Sequence, residues 1–130
     1  MADPSVVDNR ATSDISPRAQ GEPMGVTNKQ TGTRIDEVAG GIHRISTPVN
    51  DVPGGFSFDQ YVIADDQPLL FHTRPRKMHR LVEEAIASVV SLQTLRFIGF
   101  SHFEFDECGS LNELLAAAPA AVPLCGKVNA

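Results

Sequence analysis

The sequence predicts an α/β domain in which short hairpin strands come first and helix-linked strands follow. Three features carry this prediction: a pair of short alternating runs divided by two glycines, a stripe of apolar residues at helical spacing, and a short apolar run soon after it. Strands joined by helices favour parallel neighbours in one sheet, with the helices packed against it.

Composition sets the broad class of protein. The chain has 130 residues, of which 42% are hydrophobic and 21% charged, so we expect one globular domain or part of a larger one. A net charge of −5 argues against a nucleic-acid-binding surface. No apolar run approaches the roughly 18 residues that span a bilayer, and acidic residues interrupt the N-terminus where a signal peptide would be apolar. A cytoplasmic location is therefore the default expectation.

The N-terminal residues differ from the rest. Residues 1–33 are rich in Asp, Ser, Pro, Asn, Gln and Thr and hold few large apolar side chains. Such a segment buries too little surface to offset its chain entropy. We therefore predict a disordered leader over residues 1–33 and a folded domain over residues 34–130.

The first half of that domain reads as strands. Residues 34–38 and 42–46 predict a hairpin around Gly40 and Gly41, and residues 47–57 predict a loop rich in Pro and Gly. Two further strands are predicted at 58–64 and 68–72, and the short acidic stretch between them favours a tight turn.

The second half reads as alternating helices and strands. Apolar residues at three- and four-residue spacing predict a helix over residues 75–90, and the run at 95–100 predicts a buried strand. A second helix is predicted at 111–118, stopped by Pro119, and a last strand at 122–125.

The residues that carry chemistry follow the strand predicted at 95–100. In an extended segment alternate side chains point the same way, so His102, Glu104 and Asp106 would converge while Phe103 and Phe105 point into the apolar layer. An imidazole and two carboxylates suit iron, manganese or zinc. The carboxyl ends of strands are also where α/β sheets place their sites.

A structural role is the alternative for these polar residues. Asp106, Glu107 or Ser110 could cap the helix that follows, whose dipole favours negative charge at its start. The other histidines, His43, His72 and His79, are interpreted as packing or surface residues. Cys108 and Cys125 are interpreted as reduced thiols, and the acidic neighbours of Cys108 would raise its pKa.

The segment Ser-His-Phe-Glu-Phe-Asp-Glu at 101–107 resembles a known signature. It is similar to the His-x-Glu-x-Asp pattern of the oxygen-binding di-iron branch of the metallo-β-lactamase superfamily, which includes flavodiiron proteins. Other superfamily members carry His-x-His-x-Asp-His there, so Glu104 points to the di-iron branch. The resemblance covers residues 34–130 and implies the first half of an αββα sandwich, with a mixed sheet and helices on one face.

The resemblance also implies a ligand set. His102 and Glu104 would bind one metal and Asp106 the second, with two iron ions as the cofactor and zinc or manganese as alternatives. Glu107 stands where the family usually has a second His, which makes it a further candidate ligand. The family's remaining ligands lie in the second half of the domain, so we expect a truncated domain or a fragment.

The function implied is that of a metal-binding protein related to oxygen- or nitric-oxide-reducing oxidoreductases. Dioxygen would be its small-molecule substrate, and the electrons would come from elsewhere. Alternatives are a zinc-dependent hydrolase of the same fold and a non-catalytic half-domain. We expect this chain alone to be inactive, and to associate through the apolar face that a missing second half would leave open.

Overall fold

A seven-stranded mixed sheet organises residues 25–130, which are the residues that the computed structural model describes. The strands are β1 (Val26–Asn28), β2 (Thr33–Ala39), β3 (Ile42–Val49), β4 (Phe56–Ile63), β5 (Leu69–Phe71), β6 (Phe97–Phe100) and β7 (Val122–Cys125). The helices are α1 (His79–Ala87), α2 (Phe105–Cys108) and α3 (Leu111–Ala117), with 3-10 turns at Arg76–Met78 and Lys127–Asn129.

The strands lie in the sheet in the order in which they occur in the chain. Neighbours from β1 to β5 pair antiparallel, because each follows the last through a turn or loop. β5, β6 and β7 pair parallel, because the connections between them contain the helices. The predicted α/β class with a mixed sheet is confirmed.

The core lies between the helices and one face of the sheet. Strands β3 to β6 each contribute one fully buried aliphatic side chain, and these pack against the apolar stripe of α1 and against Leu114 of α3. The four strand residues are Ile45, Val62, Leu70 and Ile98. Their registers place all four on the same face, so the prediction that helices cover one face is confirmed.

The opposite face of β4–β7 is apolar and open. Tyr61 and Ile63 of β4 are each 37% exposed, and Leu124 of β7 is 49% exposed. Together with Phe71 and Gly99 they line a groove of about 550 Å³. An exposed apolar sheet face of this kind favours contact with another surface, while association through it stays a prediction.

Several element bounds differ from the prediction. The predicted hairpin corresponds to β2 and β3, and it is longer than expected because β3 continues to Val49. The strand predicted at 58–64 already begins at Phe56, so less of residues 47–57 is loop. The predicted helix over 75–90 begins as a 3-10 turn, and α1 ends at Ala87. The strand at Val122–Cys125 has the predicted bounds.

The leader predicted through residue 33 is wrong for its last part. Val26–Asn28 forms β1 and pairs with β2, and Ile35 N donates to Gly25 O at 2.7 Å. Backbone pairing holds this short strand, so it needs few large apolar side chains. Residues 1–24 of the predicted leader lie outside the described residues. In the described part of the chain, no helix is long and apolar enough to cross a membrane.

Candidate metal centre

The segment that follows β6 does not continue as a strand, because the backbone bends at Ser101, His102 and Glu104. Glu104 has φ −124° and ψ 153°, and α2 begins at Phe105, so Asp106 lies in the first turn of a helix. Bonds from Cys108 N to Glu104 O and from Gly109 N to Phe105 O, at 2.9 and 3.0 Å, close that turn. The prediction that the alternation of an extended segment continues through Asp106 is wrong.

The two aromatic residues of the segment also differ from the prediction. Phe103 and Phe105 were expected to point into the apolar layer, but they are 76% and 72% exposed. The bends at Ser101 and His102, followed by the helical turn that begins at Phe105, break the alternation that would direct both rings to the core. Phe103 makes a tilted ring contact with Phe100, at 6.4 Å between ring centroids.

The three predicted ligands differ in their surroundings. The His102 side chain is 67% exposed, Glu104 is exposed, and Asp106 is half-buried. Asp106 Oδ1 is buried and has no hydrogen-bond partner within the described residues, which is costly unless a ligand or water satisfies it. The donor types and this atom therefore fit a metal. Across residues 25–130, however, no group of three His, Cys, Asp or Glu side chains is close enough to hold one.

Glu107 joins the ends of two strands. Its Oε2 accepts the His102 backbone N–H at 2.8 Å and the Ser101 hydroxyl at 3.2 Å, and it lies 3.2 Å from His102 Nδ1. The same oxygen lies 3.7 Å from His72 Nε2. The Glu107 side chain is only 19% exposed, so this carboxylate lies half-buried at the centre of the cluster.

His72 belongs to this cluster, although its sequence position predicted a packing or surface role. It directly follows β5, and its Nε2 lies 3.0 Å from Ser101 Oγ, beyond the end of β6. Because β5 and β6 are parallel neighbours, their carboxyl ends meet at one end of the sheet. That pairing is the signal that could have placed His72 near His102. His72 also has a φ of 69°, which is rare for a residue other than glycine.

Helix capping by Asp106, Glu107 or Ser110 is not observed. The N-cap positions of α2 and α3 are Glu104 and Ser110, and neither makes a side-chain cap bond in the described structure. The Ser110 hydroxyl instead donates to Pro75 O at 2.8 Å and reaches Arg74 O at 3.1 Å. The capping alternative is wrong, because the Ser110 hydroxyl bonds to the loop that follows β5 and the Glu107 carboxylate bonds to Ser101 and His102.

Arg74 anchors that loop to the sheet. Its guanidinium is fully buried and donates to Gln60, to Thr47 and, at 2.9 Å, to the carbonyl of Phe58. Burial lowers the pKa of Arg74 to about 10, and Asp59 opposes that shift. The hydrogen bonds satisfy a cation that would otherwise be costly to bury.

The anchored loop in turn holds Glu107. Thr73 donates to Glu107 O through both its backbone N–H, at 2.6 Å, and its hydroxyl, at 3.1 Å. Ser110 N donates to Arg74 O at 2.9 Å. The backbone around Glu107 is therefore held by the loop that follows β5.

The surroundings of Cys108 favour its protonated thiol form. Burial first, and then the charge of Glu107, raises the pKa of Cys108, which agrees in direction with the prediction from its acidic neighbours. Its Sγ donates to Glu104 O at 3.2 Å, and within the described residues both Cys108 and Cys125 are free. A thiol with a raised pKa is a poor nucleophile and a poor metal ligand at neutral pH.

Comparison with known proteins gives matches in sequence and in structure. The anaerobic nitric oxide reductase flavorubredoxin of Pectobacterium atrosepticum is 32% identical over 65 residues, covering 50% of this chain and 13% of that protein. A metal-soaked flavodiiron core from Synechocystis sp. superposes with a TM-score of 0.66 at 18% identity, covering 74% of this chain and 26% of that one. A metallo-β-lactamase from Cronobacter sakazakii gives 0.62 at 15% identity, with coverages of 74% and 34%. No family model matches the sequence.

The chain is thus a protein of metallo-β-lactamase fold, in which a mixed sheet carries its helices on one face. Its relatives in sequence are flavodiiron proteins, and it is similar to the N-terminal half of that branch, as residues 101–107 predicted. The matched region spans only about an eighth of the flavorubredoxin, the 13% given above.

Proposed function

We propose that this chain contributes the first ligand segment of a di-iron centre of flavodiiron type, with His102, Glu104 and Asp106 as the donors. The observation that carries the proposal is the buried Asp106 Oδ1, which lies in the segment that follows β6. This oxygen has no hydrogen-bond partner among the described residues. The similarity to a nitric oxide reductase flavorubredoxin favours nitric oxide or dioxygen as the molecule reduced.

The described residues do not close such a site by themselves. They hold no group of three close donors, so further ligands would come from water or from another polypeptide segment. Iron, once bound, would supply the redox chemistry. The chain's own part is to fix the positions of its donors, and electrons would come from a separate flavin or other redox partner.

Anaerobic loading with Fe(II) tests this proposal. The chain is incubated with excess Fe(II), desalted, and analysed for metal by mass spectrometry. We expect about one equivalent or more to be retained, and His102→Ala to lose most of it because a neutral imidazole contributes strongly to iron binding. His79→Ala is the matched control, since His79 lies on α1 and its Nδ1 lies 3.0 Å from Arg76 O, away from the segment.

The outcomes of this experiment separate the alternatives. Iron retention with an optical change on exposure to dioxygen or nitric oxide supports the oxidoreductase. Preferential zinc retention with hydrolytic activity would replace it by the metal-dependent hydrolase, the class suggested by the similarity to a metallo-β-lactamase. Less than one equivalent of either metal, unchanged in His102→Ala, would remove the metal site and leave a non-catalytic half-domain.

The open face of the sheet supports a second part of the proposal. We propose that the groove lined by Tyr61, Ile63 and Leu124 packs against another sheet, because apolar sheet faces in two-layer folds interdigitate in this way. Light scattering after size-exclusion chromatography should show self-association of the purified chain. Leu124→Lys should reduce it, whereas Lys127→Ala, on the exposed turn after β7, should not. A strictly monomeric wild-type chain at high concentration would contradict this part.

A further inference from the structure

We infer that Glu107 and Ser101 fix the tautomers of both neighbouring histidines, so that His102 presents Nε2 to a metal and Glu107 acts as a positioning residue. The relevance to metal binding rests on the proposed function, while the tautomers follow from the geometry of the described residues. The sequence left two roles open for Glu107, namely metal ligand and helix cap. The structure assigns a different one.

The first step is a count of hydrogens. An ionised carboxylate has no hydrogen to donate, and a serine hydroxyl has one. The Ser101 hydroxyl gives its hydrogen to Glu107 Oε2 over 3.2 Å. Ser101 Oγ nevertheless has two more close partners, His102 Nδ1 at 2.9 Å and His72 Nε2 at 3.0 Å. Both contacts therefore need a hydrogen from the histidine.

The second step applies this count to the rings. His102 Nδ1 lies 2.9 Å from Ser101 Oγ and 3.2 Å from Glu107 Oε2, and both oxygens accept there. A neutral His102 is then the Nδ1–H tautomer, since the other tautomer would set its lone pair against a carboxylate. By the same reasoning a neutral His72 is the Nε2–H tautomer, whose ring stacks on Phe71 at 4.2 Å between centroids.

The third step concerns the nitrogen that remains. A metal binds the lone pair of a neutral imidazole, and a carboxylate on the opposite ring nitrogen commonly sets which one is available. For His102 this leaves Nε2, on a side chain that is 67% exposed. For His72, Nε2 is occupied by its bond to Ser101. The nitrogen left without a hydrogen on His72 is therefore Nδ1.

The rigidity of Glu107 makes this arrangement more than a chance contact. Its carboxylate is 19% exposed, and its carbonyl is held by Thr73 at 2.6 Å and 3.1 Å. The same Oε2 accepts the His102 backbone N–H at 2.8 Å, which fixes the start of the ligand segment as well as the ring. One carboxylate oxygen thus sets both the backbone and the ring of His102.

Nitrogen NMR of the metal-free chain tests the inference directly. Histidine-labelled protein is examined at alkaline pH, where imidazole is neutral, and long-range proton–nitrogen correlations give the tautomer of each ring. We expect Nδ1–H for His102 and Nε2–H for His72. An unconstrained imidazole favours Nε2–H, so the result for His102 is diagnostic. His102 found as Nε2–H in the wild-type chain would overturn the inference without any variant.

Variants then test the role of the carboxylate. In Glu107→Ala, His102 should shift towards Nε2–H, and its affinity for Zn²⁺ should fall by about 10- to 100-fold. Glu83→Ala on α1 is the matched control and should change neither the His102 tautomer nor the affinity for Zn²⁺. An unchanged His102 tautomer in Glu107→Ala would contradict the inference. If that variant does not fold, the tautomer of His102 in the wild-type chain decides the inference by itself.

The two readouts separate this inference from the proposed function. Predicted tautomers in a chain that binds neither iron nor zinc would leave the inference standing and overturn the proposed function. Metal binding through His102, together with an Nε2–H tautomer of His102 in the metal-free chain, would support the proposed function and overturn the inference.

Discussion

The loop after β5 and the segment after β6 leave neighbouring strands at the same end of the sheet, yet they are built in opposite ways. The loop is closed: Arg74 is fully buried, and its guanidinium bonds to residues on β3 and β4. The segment is open: Phe103 and Phe105 are exposed, and Asp106 holds an unsatisfied buried oxygen. The contrast indicates that the loop stabilises the fold, whereas the segment leaves its two aromatic rings exposed.

Removing the buried cation should have the largest effect. Arg74→Met keeps an unbranched side chain but deprives Gln60, Thr47 and the Phe58 carbonyl of their donors, so we expect a loss of about 3 kcal/mol in the free energy of unfolding. Urea denaturation followed by circular dichroism measures it. Arg80→Met, at an exposed position of α1, should cost less than about 0.5 kcal/mol. Equal losses in the two variants would show that the closed loop contributes no special stability.

The junction between the two regions should be nearly as sensitive. A Cβ added at Gly109 would lie 2.2 Å from Phe105 O and 3.0 Å from Arg74 O, both of them backbone atoms. Gly109→Ala must therefore displace α2 or the loop, and we expect a loss of about 2 kcal/mol. Thermal unfolding, with the His102 tautomer as a local reporter, measures it.

Gly126 offers the matched control for that substitution. A Cβ there meets nothing within 4 Å among the described residues, and φ is −66°, which suits any residue. Gly126→Ala should therefore leave the free energy of unfolding unchanged or raise it slightly. A tolerated Gly109→Ala would mean that α2 is not held against the loop as closely as the structure shows.

The open segment should tolerate polar substitution. Phe105 is 72% exposed, so Phe105→Ser should change the free energy of unfolding by less than about 0.5 kcal/mol. Phe100→Ser is the matched comparison. That ring is only 6% exposed at the end of β6, and its loss should cost about 3 kcal/mol or more. A large cost at Phe105 would show that its ring packs in solution after all.

The sequence predicted the regular parts of this fold better than the site. The strand at Val122–Cys125 was predicted with its exact bounds, because Pro119 and Gly126 delimit it. The sequence did not predict α2, because the alternation of Phe103 and Phe105 is typical of a strand. The conformation is instead decided by hydrogen bonds that the backbone N–H groups of Cys108 and Gly109 donate to the carbonyls of Glu104 and Phe105. A four-residue helix leaves too short a pattern to outweigh that alternation.

The sequence also failed to predict contacts between residues that are distant along the chain. His72 lies 29 residues before Ser101, and only the parallel pairing of β5 with β6 brings them together. The left-handed φ of 81° at Arg74 turns its side chain over β3 and β4, which no local pattern of the sequence indicates. Sequence patterns report local periodicity, and these two placements depend on tertiary geometry.

The smallest effect on the free energy of unfolding is expected for the solvent-exposed ion pair between Arg34 and Asp36. Arg34 binds Asp36 at 2.6 Å, and this hydrogen bond lowers the pKa of Asp36. A carboxyl with a depressed folded-state pKa stabilises the protein above its unfolded-state value, near 3.8, and that stability is lost as the pH falls through the folded value. The side chains are 45% and 27% exposed, so screening limits the effect to about 0.5 kcal/mol.

Asp36→Asn should therefore lower the free energy of unfolding by that small amount at neutral pH and should have no effect in strong acid. Added salt should reduce the difference in the free energy of unfolding between the variant and the wild-type chain. Urea titrations at several pH values measure it, with Asp51→Asn on an exposed loop as the control. A difference that persists unchanged into acid would show that Asp36 acts through packing. The buried Arg74 should show no such screening by salt, because the protein rather than water surrounds its guanidinium.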